Sequence, residues 1–269
     1  LMVVYILVFS ISSIKRVKRS IFDNTQEYKN ILVLFPAYKE DVIIVDSVAD
    51  FTKQNYPKDK YDVVVISDRM KPDTINFLRD IPSIVIEADY ENSTKAKALN
   101  LAVDKLVGTS YDVVVVLDAD NKVKNTFLSE INQAFCNGSR AIQAHRTAKN
   151  LNTSIALLDA VSEEINNSIF RRGHVNLGLS SALIGSGMAF EYSWFCENVK
   201  KFRTMPEERE LETLLLKQEI FIDYLNDTIV FDEKSQKRDV FFKQRRRWIA
   251  SQYETLRSVF FDLFSALSK

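Results

Sequence analysis

Between residues 31 and 118 the chain alternates short, wholly apolar runs with stretches of helical periodicity. "ILVLF" (31–35), "YDVVVIS" (61–67), "SIVIE" (83–87) and "YDVVVVLD" (111–118) are rich in branched aliphatic residues. The first is closed by Pro36, the second by the turn-rich "DRMKPDT". Between them, about 41–52 and 94–106 read as helices. β-Branched runs without polar alternation belong to strands covered on both faces, and the intervening helices are crossovers of parallel βαβ units. The first half is therefore predicted to be a doubly wound, mainly parallel α/β sheet with helices on both faces.

Beyond residue 122 the pattern loosens. "RAIQAHR" (140–146) reads as another strand and Asn150 to Arg172 as a long helix. "SALIGSGMAF" (181–190) carries two close glycines, which let backbone approach a ligand or bend a strand. "MPEERELETLLLKQ" (205–218) starts a helix, with Pro206 in its first turn and Glu207 and Glu208 near its positive end. No stretch rich in Gly, Pro or Ser divides the chain.

The two ends differ from the middle. "LMVVYILVFSISSI" is uncharged and is followed at once by "KRVKR". A spanning helix needs about 20 apolar residues, so this run is short, but basic residues directly after an apolar run mark a cytoplasmic flank. The expectation for 1–20 is a truncated transmembrane or membrane-proximal helix, with a buried helix as the alternative; a secretory signal would place its basic residues first. From Phe241 to Leu267 apolar residues recur every three or four positions, with Arg245, Arg246 and Arg257 available to a polar face. Such a helix fits a membrane interface and fits packing on the domain equally well.

Composition narrows the function classes. Lys+Arg and Asp+Glu number 36 each in 269 residues, so no bulk field draws the protein to nucleic acid. Cys136 and Cys196 have no Cys or His at metal-ligand spacing and are expected to be reduced thiols. His145 and His174 complete no nucleophile–base arrangement and read as structural or solvated.

The chemistry gathers at strand ends. Ligands of doubly wound sheets sit outside the carboxyl ends of the strands, which is where Pro36–Glu40, Ser67-Asp68 and Asp118-Ala119-Asp120 fall. No GxGxxG or P-loop pattern accompanies them. Asp118 and Asp120, one residue apart at the mouth of a buried strand, repel unless a cation joins them. Mg²⁺ or Mn²⁺, which takes oxygen ligands and keeps substrate phosphates in its shell, fits that need.

Far downstream, "QRRRW" (244–248) has the form Q-x-x-R-W. With the D-x-D it resembles the processive-type family 2 glycosyltransferases, of the cellulose synthase and hyaluronan synthase kind. "PAYKE", "SDRMKPDT", "KAKALN", "GSGMAF" and "EERELE" resemble that family's other motifs in the same order, over about residues 30–250. The resemblance implies a GT-A fold with a C-terminal amphipathic interface helix. It implies an inverting, Mn²⁺- or Mg²⁺-dependent transfer of sugar from a nucleotide donor, expected to be UDP-linked. The acceptor would be a growing glycan or a lipid-linked sugar at the cytoplasmic face of the inner or plasma membrane.

Residue by residue, the resemblance implies that Pro36, Tyr38, Glu40, Asp68 and Lys95 border the nucleotide and diphosphate. Asp120 and Asp118 would hold the metal, and Arg247 would reach the diphosphate. Gly187, Gln244 and Trp248 would line the acceptor side, although Trp248 also fits as an anchor of the last helix. The base would be Glu208, standing where the family has aspartate. One extra methylene displaces the carboxylate, and about 1 Å of misplacement can cost ~100-fold. The implied division is a catalytic domain over 28–236, with nucleotide-binding (28–122) and acceptor (123–236) halves, followed by the motif and interface helix over 237–269. A sugar-phosphate nucleotidyltransferase on a similar sheet leaves Q-x-x-R-W without a reason. A non-catalytic relative is favoured only by Glu208.

Overall fold

The computed structural model of the protein describes residues 2–15, 27–200, 207–246, 248–250 and 252–253. Strands β1 (Ile31–Tyr38), β2 (Tyr61–Asp68), β3 (Ile84–Ala88) and β4 (Val113–Val116) alternate with helices α2 (Ile44–Phe51), α3 (Pro72–Arg79) and α4 (Lys95–Lys105); α2 and α4 fall where the sequence predicts helices, α3 where it reads as turn, and α1 (Met2–Ile14) precedes them. All pairings within this group are parallel. The chain continues through β5 (Lys122–Val123), α5 (Phe127–Cys136), β6 (Ala141–Ala148) and α6 (Ser154–Asn166), then α7 (His174–Asn176), β7 (Met188–Glu191), α8 (Tyr192–Val199), α9 (Glu207–Lys217) and β8 (Ile222–Asp232). One eight-stranded sheet results, ordered β3-β2-β1-β4-β7-β6-β8-β5.

The strands read as fully apolar because both faces are covered. From β1, Ile31, Val33 and Phe35 pack with Val48 and Phe51 of α2, Leu78 of α3 and Ile131 of α5. Leu32 and Leu34 point the other way, to a core with Leu99 of α4, Phe195 of α8 and Leu215 of α9. Complete burial of each such side chain contributes about 1.5–3 kcal/mol.

Several elements depart from the sequence pattern. Strand β1 runs through Pro36 to Tyr38, because its ladder with β4 ends at Leu34–Val116 and the missing N–H lies beyond it. The long helix expected to reach Arg172 stays α-helical only to Asn166; residues 167–173 then widen into π-helical turns. There α1 packs hard on the backbone, and a Cβ on Gly173 would lie 2.4 Å from the Phe9 carbonyl oxygen. Strand β8 is absent from the sequence reading. It pairs in parallel with β6 across a bulge at Ala144/His145.

At the amino end, α1 buries Phe9 and leaves Met2, Val3, Leu7, Ile11 and Ile14 exposed. No helix among the described residues is long and apolar enough to cross a membrane. The basic run after α1 lies almost wholly outside the described residues. Of the predicted last helix, 238–246, 248–250 and 252–253 are helical, and the remainder lies outside them. Both cysteines are unpaired.

Candidate active site

The topology brings the chemistry to one edge. Strand β7 is antiparallel to both β4 and β6, and β8 is parallel to β6. The carboxyl ends of β1, β2, β4, β6 and β8 therefore face the same way. A cleft of about 360 Å³ opens there, lined among others by Pro36, Tyr38, Glu40, Asp118, Asp120, Arg146, Asp232, Gln244 and Trp248. The sheet thus joins residues from the two ends of the sequence.

Asp118 and Asp120 leave β4 in a tight turn. Asn121 fixes it: its Oδ1 accepts from the Asp118 N–H at 3.1 Å, and its Nδ2 donates to Asp120 and to Asp232, each at 3.2 Å. Ser186 Oγ also accepts from the Asp118 N–H, at 3.0 Å. Burial, with Asp232 and Asp118 close by, pushes the Asp120 carboxyl up to about 7. Glu40 is raised as well, by burial and then by Asp118. A buried acid forced to hold its proton is a site short of positive charge. Among the described residues no three acidic, His or Cys side chains close into a metal shell. One or two carboxylates completed by phosphate oxygens and water is the usual arrangement for Mg²⁺, so the donor set fits such an ion.

Lys95, at the start of α4, donates to Asp118 and to the Gly185 carbonyl, the latter at 2.5 Å. Gly185 sits at φ +85°, and its open side faces Glu208: a Cβ there would lie 3.6 Å from the Glu208 carboxyl carbon. One glycine thus joins the lysine at the D-x-D to the carboxylate of the downstream "EERELE" segment. Gly187 is placed differently. At φ +64° it is wedged inside the sheet, where a Cβ would meet Val230 at 2.9 Å, and its carbonyl accepts from the Ala144 N–H. It spaces strands, while Gly185 faces the carboxylate.

The nucleotide-side residues lie at the ends of β1 and β2, whose register pairs Tyr38 with Asp68. The next residues, Lys39 and Arg69, are both left-handed, at φ 57° and 54°. Asp68 is 3% exposed, and its Oδ1 and the neighbouring Ser67 Oγ have no hydrogen-bond partner. Successive strand residues point to opposite faces, and neither Ser67 nor Asp68 is among the residues lining the cleft. Arg247 lies outside the described residues.

The structure adds residues the sequence reading passed over. Asp232 ends β8 beside Asp120, backed by Lys234 at 2.7 Å and Arg146 at 3.9 Å. Glu163 of α6 accepts from Arg146 Nε at 2.6 Å and also from Lys234. Burial raises the Asp232 carboxyl, but Arg146 and Lys234 outweigh it and hold the group below its usual range. Burial likewise disfavours the Arg146 cation, and Asp232 and Glu163 more than offset it. A signal existed: "IVFDEK" (229–234) repeats the form of "VVLDAD", an apolar run delivering an acid at its carboxyl end. His145 is structural, bonded to Tyr224 and Glu164 at 2.6 and 3.1 Å.

The described geometry has relatives. "Probable glycosyltransferase YdaM" of Bacillus subtilis is 21% identical over 269 residues, 90% of this chain and 62% of that protein. A Komagataeibacter sucrofermentans protein, "Cellulose synthase catalytic subunit [UDP-forming]", is 29% identical over 107 residues, 39% of this chain and 14% of that one. The chain therefore spans less than two thirds of these curated relatives. In fold it is similar to the mannosyltransferase PcManGT from Pyrobaculum calidifontis, solved with GDP-Man and Mn²⁺. The TM-score is 0.69 at 15% identity, covering 96% of this chain and 72% of that one. The architecture is that of the GT-A glycosyltransferases. Residues 29–251 match the model of the "Glycosyltransferase like family 2". The chain belongs to that family.

Proposed function

We propose that the protein is an inverting, divalent-metal-dependent glycosyltransferase that moves a sugar from a nucleoside diphosphate donor, UDP-linked, to a glycan or lipid-linked acceptor. The observation that carries this reading is the buried Asp120 carboxyl, pushed up to about 7 with Asp232 and Asp118 close by, beside Gly185, whose carbonyl accepts from Lys95 and whose open side faces Glu208. Asp120, with Asp118 or Asp232, would hold Mn²⁺ or Mg²⁺, which supplies positive charge to the departing diphosphate.

The chain's own groups supply the rest. Asp68 and Ser67 accept hydrogen bonds from the base or ribose, and Pro36, Tyr38 and Glu40 border it. Lys95 turns from Asp118 to a phosphate oxygen. Glu208 takes the proton of the acceptor hydroxyl as its oxygen attacks the anomeric carbon. The bond from that carbon to the diphosphate oxygen breaks on the opposite face, so configuration inverts. Gln244 and Trp248 hold the acceptor and Arg247 reaches the diphosphate; an indole face suits the C–H surface of a sugar, and arginine suits phosphate.

The same reading places the enzyme at the cytoplasmic face of the inner or plasma membrane. What supports this is apolar surface. Leu157, Val161 and Ile165 of α6 are about half exposed and line a largely apolar groove of about 500 Å³, to which α1 contributes Ser10 and Ser13.

Calorimetric titration with a panel of UDP- and GDP-sugars, with Mn²⁺ and with chelator, tests the proposal. Metal-dependent binding of a UDP-sugar is expected, lost in Asp120→Ala. Glu208→Gln should bind that donor within about twofold of wild type and turn over at least ~100-fold more slowly. Unchanged Mn²⁺-dependent affinity in Asp120→Ala removes the metal assignment, and a fully active Glu208→Gln removes the base.

A further inference from the structure

The second residue of "QRRRW" is a variable position of the motif, and nothing above gives Arg245 a part in the cleft. Its surroundings do. The helical residues 238–246, 248–250 and 252–253 leave Val240, Phe242, Ile249 and Tyr253 at 52%, 55%, 68% and 68% exposure, so much of their surface makes no contact with the body. On its inner side Arg245 Nη2 bonds Asp159 Oδ1 of α6 at 2.8 Å. The aspartate side chain is only 8% exposed and the arginine 28%.

The guanidinium carbon of Arg245 also lies 5.0 Å from the ring centre of Phe241 and 4.9 Å from that of Trp248. These rings are one turn before and one turn after it, at i−4 and i+3. Phe241 is itself buried, at 8%. Gln244 and Trp248, also one turn apart, line the cleft with Asp159. A planar cation that bonds a carboxylate and lies close to two ring centres combines ion pairing with ring contact, which a lysine ammonium matches less well.

We infer that the Arg245–Asp159 pair is the latch that sets the Q-x-x-R-W helix over the cleft, making both of them positioning residues for the transfer reaction. The inference rests on the proposed function for what the helix does there. Neither residue touches the donor or the reacting atoms; they act through Trp248 and Gln244. Removing either charge breaks the ion pair and frees the helix to swing from the cleft; loss of the arginine also leaves the buried Asp159 carboxylate without it. The donor-side residues Tyr38, Asp68 and Lys95 stand on other elements.

Trp194 and Trp248 are the chain's two tryptophans. Trp194 lies in α8, bonded to Gln218. In a Trp194→Phe background, acrylamide quenching therefore reads Trp248 alone and needs no ligand. Asp159→Asn and Arg245→Ala are expected to raise the quenching constant at least about twofold, and Arg245→Lys by less, because it keeps the charge and loses the stacking. Arg246→Ala, its neighbour in the motif, should change nothing. Equal quenching in Arg245→Ala and its parent, or the same increase in Arg246→Ala, overturns the latch. Should Asp159→Asn fail to fold, the arginine variants on the more exposed partner decide the matter.

Function gives the second readout. With the UDP-sugar that wild type turns over, Arg245→Ala should lose ~10–100-fold in kcat, with any rise in donor KM smaller than that loss, as expected of a displaced acceptor group. A raised donor KM with kcat unchanged also overturns it. Failure of the wild type to bind UDP with Mn²⁺ defeats the proposed function and leaves the quenching result standing.

Discussion

The two halves of the sheet solve different problems with different chemistry. From β1 to β4, parallel strands are held almost wholly by aliphatic packing, and polar residues appear only where strands end. From β5 to β8, strands of both directions enclose buried charge: Arg146, Glu163 and Lys234 are 9%, 6% and 4% exposed, all linked to Asp232 or to one another. The first half is a scaffold whose edge carries the proposed donor site. The second carries its ionic network within the fold, so stability and chemistry draw on the same groups there.

Two lysines sharpen that contrast most. Lys234→Met removes one cation of a buried network and leaves Arg146 alone to balance Glu163 and Asp232, so it should cost about 3–5 kcal/mol in a urea melt. Lys95→Met, at the more open donor edge, should leave the melt nearly unchanged and weaken Mn²⁺-dependent UDP binding by ~10–100-fold in calorimetry. Equal stability losses from the two would erase the distinction between the halves.

A smaller effect probes their seam. Gly187→Ala adds a Cβ 2.9 Å from Val230 and strains a left-handed backbone, and should cost about 1–3 kcal/mol by the same melt. Gly108→Ala, also left-handed but with open space beside it, should cost less.

The last prediction concerns pH. The Asp120 carboxyl sits at about 7 in the folded protein against 3.8 ordinarily. Folding favours its protonated form, so this stabilisation is full below 3.8 and is lost as pH rises through 7. Above pH 7 the metal-free protein is the less stable for this charge. Asp120→Asn should raise its stability there by at least about 1.4 kcal/mol, the equivalent of one pKa unit, with no gain at pH 4. Thermal melts at the two pH values in chelator check this. A gain at both would show that the amide simply packs better.

Legibility in the sequence followed the same division. The strands of the first half were readable because each is a continuous β-branched run, and their ends located Asp68, Asp118 and Asp120. Strand β8 was not, since "IDYLNDTIVFD" mixes exposed and buried positions around a bulge, and Asp232 was lost with it. Arg146 and Glu163 carry no local signal at all: each is an ordinary charge in a strand or helix until the fold buries it opposite its partner. The resemblance supplied the order of the motifs. It could not show that Gly185, rather than Gly187, is the glycine facing Glu208.

Strand β7 gives the cleft a property that no single side chain has. Four residues long, it is laddered to β4 on one side and β6 on the other, with Met188 and Phe190 in the core. Ser186 and Gly185, just before it, meet Asp118 and Lys95 at a position set by that register. The spacing between the acid cluster and Glu208 is therefore indexed, as on a vernier, rather than continuously adjustable. Moving it by one notch would turn Met188 and Phe190 to the opposite face of the sheet. Fine adjustment for a glutamate in place of an aspartate must then come from α9, which carries Glu208, while the strand stays where it is.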